Sequence, residues 1–136
     1  MIEKIILNDK VSAILITKNV IFREGAEFIT SNNQEFQVGL MNRDKGYEID
    51  PHFHKTVKRN IKNTSEALFV KSGKIKCTIF DANNASIKKT FNIEDGDLLV
   101  IFNSAHKFTF LEKSEIIEIK QGPFIESKTK FSNDTS

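Results

Sequence analysis

The sequence lacks several features that whole classes of protein require. Its single cysteine, Cys77, excludes an intrachain disulfide and fits an intracellular protein, which we expect in the cytoplasm. No apolar run approaches the roughly 20 residues of a transmembrane helix, and the first residues lack the basic start and apolar stretch of a signal peptide. The net charge of +2 is too small to indicate nucleic-acid binding. We therefore expect a protein that binds neither membranes nor nucleic acids.

Tryptophan is absent and tyrosine occurs once, so the twelve phenylalanines must provide most of the aromatic packing. The chain consists largely of short runs that alternate apolar and polar residues between turn signals, which is typical of β-strands. A first hairpin is predicted for residues 5–7 and 13–17, and a second around Gly73. Residues 98–102 are continuously apolar and predict a strand buried on both faces. No segment of useful length has a helical period, so we predict an all-β sandwich or barrel.

Histidine is also scarce, and its three copies are not scattered. His52 and His54 lie two residues apart within residues 47–54, which alternate as a strand does, although Pro51 indicates an edge or a strand end. Side chains at i and i+2 of a strand share a face, so both imidazoles are expected on one wall.

Glu66 and His106 can complete a set of four ligands with these two histidines. Such a set, with open positions left, suits Zn, Fe, Mn, Ni or Cu. The alternatives are a metal-free pocket, whose histidines hydrogen-bond a ligand or one another, and an inert core. Phe53, on the opposite strand face, is predicted to be core, and so is Cys77 because it alternates with apolar neighbours. The central phenylalanine-rich faces are predicted first as core, with a few rings lining a pocket. They contain Phe36, Phe69, Phe91, Phe102, Phe108 and Phe110.

Two stretches follow a known motif. Gly46 is followed by five residues and then His52-Phe53-His54, and Glu66 is followed by six residues and then Gly73. This spacing resembles the first motif of the cupin superfamily. The eleven residues between His54 and Glu66 exceed the family's usual gap.

The second cupin motif is matched less closely. Gly96-Asp97 open it, and His106 occupies the histidine position one residue early. Residues 102–105 replace the family's Pro-x-Gly turn, and Phe110 stands where the family has asparagine.

The resemblance spans roughly residues 38–120. It implies a double-stranded β-helix, a jelly-roll-like barrel, in one domain over residues 1–125 with N-terminal strands within 1–35. A flexible tail is expected over residues 126–136. The resemblance also implies a homodimer, since small cupins often form one, and N-terminal strands that extend a sheet or exchange with the partner.

By the same resemblance, a divalent transition metal such as Zn, Fe, Mn or Ni is the cofactor. The implied metal ligands are His52, His54, Glu66 and His106.

Four further residues are candidates for binding a small-molecule ligand, namely Tyr47, Lys58, Arg59 and Phe108. Lys58 and Arg59 lie in a basic stretch, residues 55–64, which attracts an anionic ligand such as a sugar phosphate if it covers the pocket and is otherwise a solvated loop. Tyr47 is either a general acid near the pocket mouth or a packing residue. Phe108 is a candidate for an apolar wall.

Residues 51–54, 66–73 and 117–124 also resemble a subgroup of small, stand-alone bacterial cupins that accompany genes for surface-sugar synthesis. The resemblance implies a metal-binding cupin acting on a small polar ligand, such as a sugar or nucleotide-sugar derivative of surface-polysaccharide metabolism. The metal would act as a Lewis acid in an isomerase- or epimerase-like reaction. The alternatives are an Fe(II)-dependent dioxygenase, a non-catalytic ligand-binding or sensing cupin and, ranked last, a metal-free sugar epimerase. The sequence identifies no catalytic residue.

Overall fold

A computed structural model describes residues 1–131, in which all helix and strand structure is β-strand. This confirms the all-β prediction. Contacts divide the chain into two compact units. The two-sheet unit comprises Met1–Val20 and the described residues from Asn63 onward, and the hairpin unit comprises Ile21–Lys62. Of the tail predicted over residues 126–136, residues 132–136 lie outside the described residues. Within residues 1–131, no helix is long and apolar enough to cross a membrane.

Ten strands are present in the described residues. They are β1 (Ile2–Leu7), β2 (Lys10–Ile16), β3 (Gly25–Phe28), β4 (Gly39–Asn42), β5 (Glu66–Ser72), β6 (Lys74–Phe80), β7 (Lys88–Glu94), β8 (Leu98–Ile101), β9 (Ala105–Phe110) and β10 (Glu115–Lys120).

The larger sheet of the two-sheet unit has five antiparallel strands in the order β1-β2-β8-β5-β10. β1 and β2 form the first predicted hairpin, and Asn8 and Asp9 at its turn have φ values of 50° and 61°, as a type I′ turn requires. The prediction for residues 98–102 is also confirmed. Leu99 of β8 belongs to the core, while Val100 faces the other way and is equally buried.

The smaller sheet has the strand order β7-β6-β9. Alternate side chains of the two sheets meet in one hydrophobic cluster, which consists of Ile5, Leu7, Ala13, Leu15, Leu68, Val70, Ile75, Cys77, Ile79, Ile93, Leu99 and Ile101. Burial raises the pKa of the Cys77 thiol to about 12, because the thiolate would lose its hydration there. Cys77 is therefore a packing residue, as predicted.

The hairpin predicted around Gly73 is wrong in its pairing, although both of its strands exist. β5 pairs with β8 and β10, whereas β6 pairs with β7 and β9, so the chain changes sheets at Gly73. Gly73 has φ of 110°, and a Cβ there would lie 2.6 Å from the Cα of Ser114. A hairpin and a corner between sheets both place alternate residues of the two strands on one core. The alternation pattern therefore does not distinguish them.

The hairpin unit contains one small sheet, in which β3 and β4 pair antiparallel. The ring of Phe28 lies over Gly39, its cross-strand partner, where an added Cβ would be 3.1 Å from the ring. Residues 43–62 form no strand.

The strand predicted over residues 47–54 is therefore wrong, and so is the prediction of Phe53 as core, because this side chain is 88% exposed. Gly46 adopts φ of 89° in a turn in which the Tyr47 N–H donates to the carbonyl of Asp44 at 3.2 Å. Pro51 has no N–H with which to join a ladder. Without a partner strand, the alternation of this stretch buries no face.

The phenylalanine-rich faces are core only in part. Phe91 and Phe108 pack against the hydrophobic cluster, and Phe102 is buried. Phe69 and Phe110 are 38% and 58% exposed. Phe69 alternates with core residues of β5 and therefore points to the opposite face of the sheet.

Candidate functional site

Two of the four predicted metal ligands, Glu66 and His106, face each other within the two-sheet unit. Glu66 begins β5 and shares the face of that strand that carries the core residue Leu68. His106 lies in β9 on the same face as Phe108, which packs against the core. Their Nε2 and Oε1 atoms are 3.8 Å apart, and the Glu66 side chain is only 13% exposed. Two strands from different sheets thus bring together residues forty positions apart in the sequence.

The other ring nitrogen of His106 determines what Nε2 can do. Nδ1 lies 3.3 Å from the carbonyl oxygen of Ser104, which can only accept a hydrogen bond. The proton of a neutral His106 therefore lies on Nδ1, and the lone pair of Nε2 faces the Glu66 carboxyl. A lone pair and a carboxylate repel each other unless a positive charge lies between them. The pair can relieve this repulsion with a proton or with a metal ion.

Two charged residues of β10, Glu118 and Lys120, complete the surroundings of this pair. In the β5–β10 register, Lys120 is opposite Glu66, and Glu118 is opposite Leu68. Directly opposed residues share a sheet face, so both charges lie on the core side at the end of the cluster. The Lys120 Nζ donates to Glu118 Oε1 at 3.0 Å.

Burial is the main cause that raises the pKa of the Glu66 carboxyl. His106 opposes this increase in pKa when its imidazole is protonated, and a hydrogen bond with Glu118 reinforces the increase. The hydrogen bond from Lys120 is the main cause that lowers the pKa of Glu118, and the same bond raises the pKa of Lys120. A proton shared by the two carboxyl groups therefore resides on Glu66.

The other two predicted ligands, His52 and His54, lie in the hairpin unit. Their ring centroids are 5.5 Å apart, and the rings meet edge to face. The two imidazoles are thus neighbours even though no strand carries them. The Nδ1 of His52 lies 2.9 Å from the carbonyl oxygen of Asp50, so a neutral His52 carries its proton on Nδ1, as His106 does. Metal-binding histidines commonly have this arrangement, in which the second ring nitrogen is held by a backbone carbonyl.

The four residues predicted to bind a ligand are divided between the two units. Phe108 lies in the two-sheet unit, where its ring centroid is 5.1 Å from that of His106. Tyr47 is in the hairpin unit, and the guanidinium carbon of Arg43 lies 4.4 Å from its ring centroid. Arg59 borders an open depression of about 550 Å³ in the hairpin unit, whereas its neighbour Lys58 does not line it.

Glu118 and Lys120 were not predicted as site residues. A signal for them exists in residues 117–120, where isoleucine and charged residues alternate. The natural interpretation turns Ile117 and Ile119 inward and the charges outward. In the structure, the β5–β10 register puts Glu118 and Lys120 on the core face instead, where their side chains are 45% and 51% exposed. The two isoleucines on the opposite face are 54% and 56% exposed.

No group of three or more histidine, cysteine or acidic residues in a metal-binding arrangement occurs in the part of the chain that the structure describes. Comparisons with protein-family models, with curated proteins and with solved structures found no match. The four-ligand set and the cupin resemblance therefore stay predictions.

Proposed function

We propose that this chain is a small metal-binding protein of the cupin type, which acts on a small polar ligand such as a sugar or nucleotide-sugar derivative. The proposed ligands of the metal, a divalent transition ion, are His52, His54, Glu66 and His106. The proposal includes a double-stranded β-helix fold, for which the two antiparallel sheets around one core and the change of sheet at Gly73 are the support. Homodimer formation, a role in surface-polysaccharide metabolism and a cytoplasmic location belong to the same proposal.

The observation that carries the proposal is the pairing of Glu66 with His106. Two atoms that bind one ion at about 2.1 Å each are separated by at most about 4.2 Å. The 3.8 Å between Nε2 and Oε1 is within that limit, and Nδ1 of His106 is already engaged with a backbone carbonyl. The chemistry of the donors, imidazole nitrogen and carboxylate oxygen, suits Zn, Fe, Mn and Ni.

A bound metal would supply a Lewis acid for a carbonyl or hydroxyl oxygen of the ligand. Side chains of the protein would supply hydrogen bonds to the ligand, a group that holds a proton and an apolar surface. Lys120 can donate a hydrogen bond to a polar ligand, and Glu118 can accept one. Glu66, whose carboxyl pKa burial raises, can hold a proton at Oε1 when no metal is bound. Phe108 provides an apolar surface beside the His106 ring.

The test is the metal content of protein purified without a histidine tag, measured by mass spectrometry. We expect near-stoichiometric metal in the parent protein and its loss in both His52→Ala and His106→Ala. Lys107→Ala, which removes an exposed side chain next to His106, is the matched control and should keep its metal. Absence of metal after reconstitution with Fe, Mn, Ni and Zn would refute the proposal, and loss in only one histidine variant would refute the four-ligand set.

A second candidate function is non-catalytic binding or sensing of the ligand. The observation that favours it is that Glu118 is already paired with Lys120. Among the residues that the structure describes, no unpaired acid and base therefore stand beside Glu66 and His106. The two candidates differ in turnover. Prolonged incubation of metal-loaded protein with sugar phosphates and nucleotide sugars, followed by NMR, would show new resonances for an enzyme and none for a sensor. Oxygen uptake by Fe(II)-loaded protein would instead identify the dioxygenase variant.

A further inference from the structure

The depression in the hairpin unit is a second place where the chain presents chemistry that recognises a ligand. We propose that it binds a small polyhydroxylated compound that carries a carboxylate or phosphate group. This inference goes beyond the proposed function, because it concerns a site that the hairpin unit forms by itself and requires no metal. Its lining residues are Asn32, Gln34, Glu35, Gln37, Arg59, Asn60 and Ile61.

The first argument is the composition of the lining. Four of these side chains are carboxamides, of which that of Gln37 is engaged by hydrogen bonds within the chain, and one is a guanidinium. A carboxamide offers a donor and an acceptor side by side, which matches two neighbouring hydroxyl groups. The guanidinium of Arg59 presents parallel N–H groups that match a carboxylate or phosphate. Glu35 can accept from a further hydroxyl.

The second argument is that one wall is held in place by its own hydrogen bonds. Nε2 of Gln37 donates to the carbonyl oxygens of Ser31 and Gln34, both at 2.8 Å. Its Oε1 accepts from the hydroxyl of Thr30 at 2.9 Å, and Thr30 is buried. The connection between β3 and β4 is thus ordered before a ligand arrives, which lowers the entropy cost of binding.

The third argument is that the remaining lining groups have no partners of their own. Within residues 1–131, the side chains of Asn32, Gln34, Arg59 and Asn60 make no hydrogen bond or ion pair. They are solvated, so a ligand replaces water rather than an internal bond. The volume of about 550 Å³ is typical of small-molecule sites and accommodates a monosaccharide with its anionic group.

The position of Arg59 also distinguishes a specific binding site in the depression from non-specific attraction of anions to a basic surface. Lys58 and Lys62 lie in the same stretch of the chain, but neither lines the depression. If only the net charge of the stretch attracted anions, the three cations would contribute alike. If the depression is the site, Arg59 alone contributes strongly.

The experiment is a titration of the full chain, as purified, with glucuronate, glucose 1-phosphate, glucose and inorganic phosphate, followed by NMR of the backbone amides. We expect both anionic sugars to shift the amides of residues 31–37 and 59–61, and glucose to bind at least about tenfold more weakly. Arg59→Met should weaken binding of both anionic sugars by about tenfold or more, and Gln34→Leu should weaken it less. Lys62→Met, which removes an equal charge outside the depression, should change it by less than about twofold.

Binding of glucuronate but not glucose 1-phosphate, or the reverse, would identify the anionic group within the proposed class. Inorganic phosphate binding as tightly as glucose 1-phosphate would overturn the recognition of hydroxyl groups. Equal effects of Arg59→Met and Lys62→Met, or no amide shifts up to the solubility of each sugar, would overturn the site itself. The metal-content measurement does not depend on this titration, so failure of either proposal is recognised separately.

Discussion

The two-sheet unit and the hairpin unit differ in what holds them together. In the two-sheet unit, eight strands pair side by side, and their inward side chains form one hydrophobic cluster. In the hairpin unit, two strands of four residues pair, residues 43–62 form no strand, and side-chain hydrogen bonds such as those of Gln37 order the backbone. Yet both units carry candidate functional residues. Stability is therefore expected to depend on one unit, whereas binding chemistry is distributed over both.

The largest effect on the free energy of unfolding is expected from a cavity introduced into the core of the two-sheet unit. Leu99 is fully buried in the central strand β8, so Leu99→Ala removes packed atoms and leaves a void. We expect a loss of about 2–5 kcal/mol in the free energy of unfolding, measured by urea denaturation. Ile49→Ala in the hairpin unit, where the side chain is 55% exposed, should stay within about 0.5 kcal/mol. Similar losses in the two variants would remove the contrast between the units.

A glycine in each unit provides the next comparison. Gly73 and Gly46 have φ values of 110° and 89°, so alanine is strained at either position. A Cβ at Gly73 would meet the backbone of Ser114 at 2.6 Å, whereas a Cβ at Gly46 would meet nothing within 4 Å. Both variants should lose roughly 1–3 kcal/mol from backbone strain, and Gly73→Ala at least about 1 kcal/mol more from the clash. Equal losses by thermal or urea unfolding would mean that the corner at Gly73 can open without cost.

The same contrast explains which parts of the fold could be predicted from the sequence. Alternation in residues 66–71 and 74–79 predicts strands correctly, because each strand buries one face against a core. Alternation in residues 47–54 has the same appearance but no partner strand, so it predicted a strand that does not exist. A period of two shows only that neighbouring residues differ in polarity. Which strands pair, as at Gly73, depends on distant segments that a local pattern does not contain.

The candidate site was predictable in part for the same reason. Glu66 and His106 were found because histidine is rare and because the spacing resembles a known motif, and the structure brings this pair together. Glu118 and Lys120 were missed because charged side chains in a last strand are expected at the surface by default. The β5–β10 register, which places Lys120 opposite Glu66, is a long-range property of the sheet.

A smaller effect on the free energy of unfolding is expected from the carboxyl groups of Glu66 and Glu118. Their contributions depend on pH with opposite signs. Burial raises the folded-state pKa of Glu66, so its contribution to stability is greatest below the unfolded-state pKa and is lost as the pH rises through the folded-state value. The pKa of Glu118 is lowered, so its contribution is present above the unfolded-state pKa and is lost as the pH falls through the folded-state value.

In urea unfolding with a chelator present, Glu66→Gln should therefore gain stability relative to the parent protein as the pH rises from acidic to neutral. Glu118→Gln should instead lose stability relative to the parent over the same rise. The effect of Glu118→Gln should be the weaker one, because the Glu118 side chain is 45% exposed and solvent screens its charge. The same sign of pH dependence in both variants would contradict the assignment of the shared proton to Glu66.

The smallest effect is expected from Phe53→Ala. Phe53 lies between the two histidines of the hairpin unit, and its side chain is 88% exposed, so truncation removes little buried surface. The free energy of unfolding should change by less than about 0.5 kcal/mol, and the metal content should not change.

A loss above about 1.5 kcal/mol would mean that the ring is covered in solution. If that loss disappears on dilution, a second copy of the chain covers it, as the expected homodimer allows, because the stability of a dimer depends on protomer concentration. If the loss persists on dilution, the Phe53 ring is instead covered within its own chain.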